Sequence, residues 1–593
     1  MIVIAGCTGD LSKKKIFPAI NKVFRRELSK CMGGEYATTE LDLTEGTLSS
    51  STSAHNLSKH SPITTANPAD PRKRTSYLEA TGSRILYKKV PQSDVLKNNS
   101  VIVPRIIGYA RTPLDTVQFI QRIDPSISYL KETVEKIEYV SGEYAEMVDR
   151  ICSLPGRKEE GDTPDTQLYF YLAVPPEIYP TVLERVRALL SQEKTSSEKQ
   201  MPIVLLEKPI GTSLKTFLGL KAYMSDRPRR FLCVDHYMFK NVLVQYKKIF
   251  QETFLGEFVQ PGSVREVKAY FNEVIGVEGR ESYYNTSGAC RDVLQNHLLL
   301  AVATVLGEGK ERLSTLRRIE SLSEENTLFG VYKEYAERVK QNQELPHSLR
   351  RQNSEVFFPD SEEKPKTCEK EGPKSLCGMD LGGVKETYIQ AKTRIGAPWN
   401  VPLKLTAGKK MPHHFVAVVL VLEESAILKA VQARTSPKDY ENSGLVQKII
   451  KALGKPPSPK DLKLSSAEMS LETDESQDED LDKSLDLEET SEEEAQEESV
   501  PEKVQRLITG KVKIKITPKE AIFIEIKYKE KLAKKVHLTI PGTENNIDAY
   551  EHLFSQLVFE REKSGFSQLP EIEEQWRIVD PILDSPKVSR VIY

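Results

Sequence analysis

An alternation of short apolar runs with stretches of helical apolar spacing constrains the fold of the first part of this chain most strongly. The apolar runs predict buried strands at residues 2–5, 105–109, 168–174 and 202–206. Between the first two runs, Ile16, Ala19, Ile20 and Val23 have the spacing of one helix face. Strands that alternate with helices predict a parallel sheet covered on both faces, so we expect an α/β domain.

The pattern changes from about residue 400, where longer strand-like runs follow one another. These runs cover residues 415–422, 512–516 and 522–526. They predict a mainly antiparallel sheet with attached helices, so the expected fold class is α/β followed by α+β. We expect a first domain over 1–232 and a larger second domain over 233–593.

Three polar stretches interrupt these elements, at about 34–100, 340–385 and 458–500. The third contains sixteen acidic residues and one lysine between Glu468 and Glu498. Such a segment cannot bury enough apolar surface to offset the entropy lost on ordering. It is either an acidic tract that binds a partner or a solvated surface insertion, and we expect the insertion.

The overall composition excludes several classes of protein. A net charge of −2 gives no sign of nucleic-acid binding, and the longest apolar run, 415–422, is far too short to span a membrane. The residues after Met1 leave no room for a secretory signal, and seven cysteines form no CxxC pair. We therefore expect free thiols and a cytoplasmic protein that contacts neither nucleic acid nor membrane.

A glycine turn follows the first predicted strand, in the sequence Gly6-Cys7-Thr8-Gly9-Asp10-Leu11. Glycine at a strand-to-helix turn lets the backbone approach a pyrophosphate, while the helix N-terminus supplies N–H donors. Two glycines alone are a weak signal, and their spacing is not GxGxxG. Their place directly after a strand favours a nucleotide site over a plain turn.

This opening and later motifs, in order, resemble the glucose-6-phosphate dehydrogenase family. The matching segments are GCTGDLSKKK (6–15), GYAR (108–111), YVSGEY (139–144), FYLAVPP (170–176), EKPIG (207–211), DHYMFK (235–240), GVEGR (276–280), RDVLQNH (291–297), VPLKLTAGK (401–409), ITPKEAIF (516–523) and QWR (575–577). The resemblance spans the chain outside the insertions. It implies a Rossmann-like dinucleotide-binding domain, then a substrate domain whose sheet builds a homodimer or homotetramer.

Oxidation of a sugar C1 hydroxyl needs a base with a pKa near neutrality and a carboxylate that orients it. By the resemblance, His297 is the base and Asp235 its partner. The family pattern makes His236, Tyr237 and Lys240 the clamp for the substrate phosphate. It also assigns Lys208, Glu273, Asp292 and Lys409 to the sugar.

The phosphate-clamp motif departs from the family at two positions. Phe239 replaces a glycine and Asn241 an acid, and a bulky ring beside Lys240 would change the geometry of the clamp. The adjacent histidines His413 and His414 have no cysteine or acid at ligand spacing, so we predict no metal site.

The coenzyme is predicted to be NADP. Arg111 follows the second strand, where an NAD enzyme usually has an acid, and an arginine accommodates a 2′-phosphate. Lys15 would supply a second cation. The residues predicted to bind the coenzyme are Gly6, Thr8, Gly9, Asp10, Leu11, Lys15, Arg111, Tyr171 and Lys208.

The expected activity is oxidation of glucose 6-phosphate to 6-phosphoglucono-1,5-lactone, the first step of the oxidative pentose phosphate pathway. Two alternatives stay open. One is another NADP-dependent sugar oxidoreductase, which would lack a phosphate clamp. The other is a non-catalytic relative that acts as a binding or regulatory protein, which the retained base and carboxylate disfavour.

Overall fold

The computed structural model describes most of the chain outside the polar stretches. The described residues are 1–31, 40–41, 104–123, 129–154, 167–192, 201–253, 255–308, 311–344, 383–434, 508–528, 531–538, 540–541 and 547–593. The predicted insertions at 34–100, 340–385 and 458–500 lie outside this part, apart from residues 40–41, 340–344 and 383–385.

The chain divides into two compact units, each built from three chain segments. The first unit comprises Met1–Glu207, Tyr223–Val234 and Leu553–Lys563. The second comprises Lys208–Ala222, Asp235–His552 and Ser564–Tyr593. The domain boundary that we predict between residues 232 and 233 stays a prediction.

The first unit contains a six-stranded parallel sheet. Its strands are β1 (Ile2–Ala5), β3 (Ile106–Ala110), β5 (Ile137–Ser141), β6 (Tyr169–Leu172), β7 (Ile203–Glu207) and β8 (Phe231–Val234), and β2 (Glu40–Leu41) and β4 (Tyr129–Leu130) form a separate pair. The order is β5-β3-β1-β6-β7-β8, so the strand order reverses between β1 and β6. Open α/β sheets bind their ligands outside the carboxyl ends of the strands at such a reversal.

Helices connect the strands. Their bounds are Phe17–Cys31, Thr116–Gln121, Lys131–Val134, Met147–Cys152, Tyr179–Gln192, Leu214–Met224, Asn241–Glu252, Leu255–Phe258, Glu281–Ala289, Leu299–Leu306, Arg312–Arg318, Lys333–Glu344, Glu424–Arg434, Ala549–Phe554 and Leu569–Val579; π-helical segments are Ser12–Ile16, Cys290–Leu298 and Ser555–Glu560. Short 3₁₀ turns lie at Pro176–Ile178, Pro228–Arg230, His236–Phe239 and Asp580–Ile582.

The first long helix forms because its apolar residues repeat at helical spacing. Phe17, Ile20, Phe24 and Leu28 are all buried, so one face of the helix packs into the core. The helical spacing predicted over this region is therefore present.

The second unit contains a nine-stranded mixed sheet. Its strands are β9 (Val264–Asn272), β10 (Thr327–Val331), β11 (Tyr388–Ile395), β12 (Val401–Gly408), β13 (Phe415–Leu422), β14 (Ile508–Thr517), β15 (Ala521–Tyr528), β16 (Lys531–Leu538) and β17 (Ser589–Ile592), in the order β16-β15-β14-β13-β9-β12-β11-β10-β17. Six of the eight strand pairs are antiparallel, whereas β9 with β12 and β10 with β17 are parallel. The predicted class, α/β followed by α+β with a mainly antiparallel second sheet, is confirmed.

The glycine turn after β1 requires glycine at its first position. Gly6 has a φ of +79°, and a Cβ there would lie 2.1 Å from the carbonyl oxygen of Ala173, which follows β6. The N–H of Gly6 donates to the carbonyl of Tyr109 on β3 at 2.9 Å. This residue therefore ties together the carboxyl ends of three neighbouring strands.

We predict that Gly6→Ala destabilises the first unit, whereas Gly9→Ala has a much smaller effect. The first change combines a left-handed backbone with a backbone clash, which together cost about 3 kcal/mol or more. A Cβ at Gly9 meets only the oxygen of Gly6, at 3.3 Å. Thermal unfolding monitored by circular dichroism should show a melting temperature several degrees lower for Gly6→Ala alone. Equal melting temperatures for the two variants would contradict this account.

Candidate active site

A buried π-helical segment carries two of the predicted site residues. All nine residues of Cys290–Leu298 are buried, and Asp292 and His297 stand five positions apart in it. The wider π-helical turn, with i to i+5 hydrogen bonds, brings such residues to one face, whereas an α-helix would separate them by about 140°. The side chain of Asn296 supports the segment, because its oxygen accepts the His297 N–H at 2.7 Å and its amide donates to the Arg291 carbonyl at 3.0 Å.

The structure pairs His297 with Asp235. Nδ1 of His297 lies 2.6 Å from Oδ1 of Asp235, and both side chains are buried. The same Oδ1 accepts the N–H of Tyr237 at 2.9 Å, which caps the 3₁₀ turn His236–Phe239. The carboxylate is thus fixed on its own strand end before it orients the imidazole.

Electrostatics keep the imidazole neutral and the carboxylate ionised. Burial lowers the pKa of His297 below its ordinary 6.5, and the neighbouring Lys208 adds to this, although Asp235 opposes it. Burial alone would raise the pKa of Asp235, but the hydrogen bond from His297 and the nearby cation of Lys208 outweigh it and lower that pKa. A neutral imidazole whose Nδ1–H donates to Asp235 leaves Nε2 as a proton acceptor.

Two lysines and two carboxylates form a cluster beside this pair. Nζ of Lys409 lies 2.5 Å from Oε2 of Glu273 and 3.3 Å from Oδ2 of Asp292. Nζ of Lys208 donates to the backbone carbonyl of Asp292 at 2.8 Å and lies 3.6 Å from its Oδ1. Asp292 therefore bridges the two lysines.

The parallel pairing of β9 with β12 explains why Glu273 meets Lys409. Asn272 ends β9 opposite Gly408, which ends β12. Because parallel strands end at the same edge, the next residue of each strand leaves the sheet there, and the N–H of Glu273 donates to the Gly408 carbonyl at 2.9 Å.

Asp292 is strongly ionised despite its burial. Desolvation would raise its pKa, but Lys208 and Lys409 together lower it to about 2. At neutral pH the cluster is thus a fixed arrangement of two cations and two acceptors, which suits the hydroxyl groups of a polar ligand.

The predicted phosphate clamp lies on the 3₁₀ turn after Asp235. The rings of His236 and Tyr237 lie 4.7 and 4.5 Å from the ring of His297, measured between centroids. Burial and the adjacent His297 hold the pKa of His236 well below its ordinary value. His236 and Tyr237 are therefore neutral donors, and the positive charge of the group comes from Lys240.

Phe239, the residue before Lys240, packs into the core. Its ring is fully buried and meets the ring of Phe566 edge-on at 4.9 Å. The large side chain packs in the core of the second unit, and its effect on the geometry of the clamp stays a prediction.

The predicted coenzyme residues fall into two groups. Gly6, Thr8, Gly9, Asp10, Leu11 and Lys15 form the turn and first helical residues after β1, and Arg111 follows the neighbouring β3. The exposed guanidinium of Arg111 lies 5.8 Å from the ring centroid of Tyr144. Tyr171, by contrast, is fully buried in β6, where its hydroxyl donates to Glu207 at 2.5 Å. This position favours a structural role for Tyr171.

Sequence reasoning missed the part that Arg291 plays in the site. Its Nε donates to the carbonyl of Thr212 at 2.8 Å, and its Nη2 lies 2.7 Å from Oδ2 of Asp584. Arg291 thus joins the π-helical segment to the turn that follows Lys208. The sequence signal that could have identified Arg291 is its position as the first residue of the motif RDVLQNH.

Among the described residues, no group of three or more histidine, cysteine or acidic side chains is arranged to hold a metal ion. Within the same ranges, Cys7, Cys152, Cys233 and Cys290 are free thiols. None of the described helices combines the length and apolar character that crossing a bilayer requires.

Family models match the two parts of the chain in order. The model described as "Glucose-6-phosphate dehydrogenase, NAD binding domain" matches residues 86–245, and the one described as "Glucose-6-phosphate dehydrogenase, C-terminal domain" matches residues 248–483. The chain belongs to the glucose-6-phosphate dehydrogenase family. The glycine turn at Gly6 lies before residue 86, where the first match begins. The functional interpretation of this turn therefore rests on the fold and not on the family models.

The chain has low sequence identity to individual curated relatives. It is 26% identical over 287 residues to glucose-6-phosphate 1-dehydrogenase of Aspergillus niger, covering 43% of this chain and 54% of that protein. It is 26% identical over 291 residues to a cytoplasmic glucose-6-phosphate 1-dehydrogenase of Arabidopsis thaliana, covering 44% and 56%. The chain thus spans about half the length of the curated relatives that it matches.

The crystal structure of glucose-6-phosphate 1-dehydrogenase from Mycobacterium avium has the same fold. The TM-score is 0.55 at 19% sequence identity, over 100% of this chain and 93% of the other. The parallel sheet followed by the mainly antiparallel sheet is therefore the fold of this family.

We predict that the imidazole of His297 titrates below pH 6.5. Burial disfavours its charged form, and Asp235 opposes that effect, so Asp235→Asn should lower the pKa further. NMR of the protein with ¹³C-labelled histidine measures this, and the signal absent from a His297→Asn variant supplies the assignment. A His297 pKa above 6.5, or one raised by Asp235→Asn, would contradict the electrostatic account.

Proposed function

We propose that this chain is a glucose-6-phosphate 1-dehydrogenase that oxidises glucose 6-phosphate at C1, with NADP as the hydride acceptor. The observation that carries the proposal is the buried, neutral His297 oriented by Asp235 beside the cluster of Lys208, Asp292, Lys409 and Glu273. The names of the family models and relatives support it. The product is 6-phosphoglucono-1,5-lactone, formed in the first step of the oxidative pentose phosphate pathway.

His297 acts as the general base in this proposal. Nε2 removes the proton of the C1 hydroxyl, and Asp235 stabilises the imidazolium that forms. Burial of the ionised Asp235 makes this stabilisation strong, because a charge pair interacts more strongly away from bulk water. NADP, when bound, supplies the nicotinamide that takes the hydride from C1.

The charged cluster orients the sugar. Ionised Asp292 and Glu273 accept hydrogen bonds from sugar hydroxyls, while Lys409 and Lys208 hold those carboxylates in place. Since the carboxylates are positioned before substrate arrives, less entropy is lost on binding.

The substrate phosphate lies against His236, Tyr237 and Lys240 in this proposal. The centroids of the two rings lie within 5 Å of that of the His297 ring, which supports a phosphate site next to the base. Lys240 supplies a charge-assisted hydrogen bond, and His236 and Tyr237 supply neutral donors. An unphosphorylated sugar would leave Lys240 without its counter-charge.

The turn after β1 fits a dinucleotide. A Cβ at Gly9 would meet only the Gly6 oxygen, so the backbone of the turn is accessible to a ligand. The helical segment that follows the turn offers the N–H donors of its first turn to a pyrophosphate. Arg111 lies at the end of the neighbouring strand, at the same sheet edge, where a 2′-phosphate would be held. Lys15 adds positive charge, and Thr8, Asp10 and Leu11 line the turn.

Cellular location and assembly are further parts of the proposal. We propose a cytoplasmic protein, like its Arabidopsis relative, that assembles as a homodimer or homotetramer. Analytical ultracentrifugation of the purified chain tests the assembly.

We predict activity only with the combination of glucose 6-phosphate and NADP, followed as NADPH absorbance. Glucose with NADP, and glucose 6-phosphate with NAD, serve as parallel controls. Equal rates with glucose would contradict the phosphate clamp, and equal rates with NAD would contradict the role of Arg111 alone. Folded protein that binds NADP without turnover would favour the non-catalytic alternative.

We predict that His297→Asn lowers kcat by about 10²–10⁴-fold, the usual range for loss of a general base. Binding of glucose 6-phosphate, measured by calorimetry, should be largely kept because the clamp and the cluster remain. His537→Asn is the matched control, since His537 lies on β16 and packs on Phe523 rather than on the site. Near wild-type turnover in His297→Asn would overturn the assignment of the base.

A further inference from the structure

A break in the helix before the π-helical segment leaves two backbone N–H groups in need of acceptors. Gly288, near the end of the helix Glu281–Ala289, has a φ of +68° and a ψ of 172°, which lie outside the helical region. The N–H groups of the next residues, Ala289 and Cys290, therefore lose the regular helical ladder. Because a buried N–H without an acceptor is costly, both groups need an acceptor from another part of the chain.

Glu386, which lies 96 residues beyond Cys290, accepts both groups. Its backbone carbonyl accepts the N–H of Ala289 at 2.9 Å, and its Oε1 accepts the N–H of Cys290 at 3.1 Å. A Cβ at Gly288 would lie 2.3 Å from that Oε1, so the glycine leaves the space that the carboxylate occupies. Buried Glu386 thus fixes the start of the segment that carries the candidate base.

The next residue, Thr387, fixes the lysine that pairs with Asp292. Its carbonyl accepts the N–H of Lys409 at 2.9 Å, and its own N–H donates to the carbonyl of Gly330 on β10 at 2.8 Å. The hydroxyl of Tyr593, directly after β17, lies 3.0 Å from Oγ1 of Thr387 and donates to the carbonyl of Lys409 at 2.7 Å. The N–H and the carbonyl of Lys409 are therefore both held at the end of β12.

Two adjacent residues thus contact the two chain segments whose side chains meet in the charged cluster. Nζ of Lys409 lies 3.3 Å from Oδ2 of Asp292. Asp292 is the third residue of the π-helical segment, and Lys409 directly follows β12. All of these residues belong to the second unit. Because one planar peptide bond joins Glu386 to Thr387, the two segments are held at a fixed spacing.

The contact of Glu386 with the segment depends on an acceptor oxygen. Burial raises the pKa of Glu386 above its ordinary value, although its own N–H, that of Cys290 and the charge of Arg291 oppose this. A negative charge is therefore costly here, whereas a carboxyl or an amide group supplies an acceptor oxygen without one. We expect glutamine to replace Glu386 and leucine to fail.

We propose that Glu386 and Thr387 are positioning residues that hold Asp292 and Lys409 at ion-pair distance in the candidate active site. Each acts through the backbone of a segment that carries a sugar-binding side chain. The inference rests on the proposed function, because the charged cluster is the proposed sugar site.

Steady-state kinetics with glucose 6-phosphate and NADP compare Glu386→Leu with Glu386→Gln. Loss of the acceptor should lower kcat/KM at least about tenfold, since a misplacement of about 1 Å at an active site is that costly or more. Glutamine should restore most of this loss, because its amide oxygen accepts the Cys290 N–H. Equal losses in the two variants, or no loss in either, would overturn the proposal.

Glu571→Leu is the matched control for lost stability. Glu571 is also a buried carboxylate that accepts a backbone N–H at the start of a helix, that of Gln568 at 2.7 Å, and it pairs with Arg312. This variant should lower the melting temperature at least as much as Glu386→Leu but keep kcat/KM near the wild-type value. An equal loss of kcat/KM in Glu571→Leu would show a general effect of stability and overturn the proposal.

The signal of His297 gives a readout that needs neither substrate nor turnover. In protein with ¹³C-labelled histidine, Glu386→Leu should shift this signal because the segment that carries the ring moves. Glu386→Gln and Glu571→Leu should leave it in place. An unchanged signal in Glu386→Leu would overturn the proposal. A wild-type protein inactive with glucose 6-phosphate would instead overturn the proposed function, while the shifts would still test the positioning.

Tyr593→Phe tests the other end of the linkage. It removes the hydroxyl that donates to the Lys409 carbonyl and keeps the ring. The KM for glucose 6-phosphate should rise several-fold, whereas the His297 signal should not move, because Tyr593 does not hold the π-helical segment. A His297 shift as large as that in Glu386→Leu would mean that the whole unit loosens, which would overturn the proposal.

Discussion

The candidate site depends on the burial of Asp292 between two lysines that come from distant parts of the sequence. An ionised carboxylate removed from water is costly unless cations replace the lost hydration, and Lys208 and Lys409 do so. This pairing fixes the π-helical segment relative to Lys208 and to the end of β12, all within the second unit. His297, five residues further along the same segment, is positioned as a consequence.

The π-helical geometry links the carboxylate cluster to the base. A regular α-helix over residues 290–298 would turn Asp292 and His297 to different sides and leave one of two buried polar groups without its partners. The surrounding hydrogen bonds sustain the wider turn, since Asn296 accepts the His297 N–H and Glu386 accepts the Cys290 N–H at 3.1 Å. The candidate site is therefore part of the core of the second unit. The contacts that position His297 and Asp292 also stabilise that core.

The local sequence predicted those strands in which the apolar pattern is unbroken. The run 415–422 is apolar throughout because β13 is buried on both faces, and its bounds agree with the structure. The central strand β9 was missed, because Arg265 and Glu266 follow one another near its start and interrupt the alternation that is typical of a strand. The parallel pairing of β9 with β12 joins residues more than 130 positions apart, which no local pattern reveals.

Sequence motifs indicated which residues belong to the candidate site but not how those residues are arranged in space. Motifs identified His297 and Asp235, and the structure brings them together. The neutral state of His236 and the core position of Phe239 depend on packing against Tyr550 and Phe566, which lie more than 300 residues further along the chain. Likewise, the near-zero net charge conceals the sixteen acids of residues 468–498 and the lysines Lys268, Lys392 and Lys404, which lie opposite one another in the second sheet. Composition averages over the chain, whereas strand register brings lysines of β9, β11, β12 and β14 into one row of the sheet, which no local sequence pattern reveals.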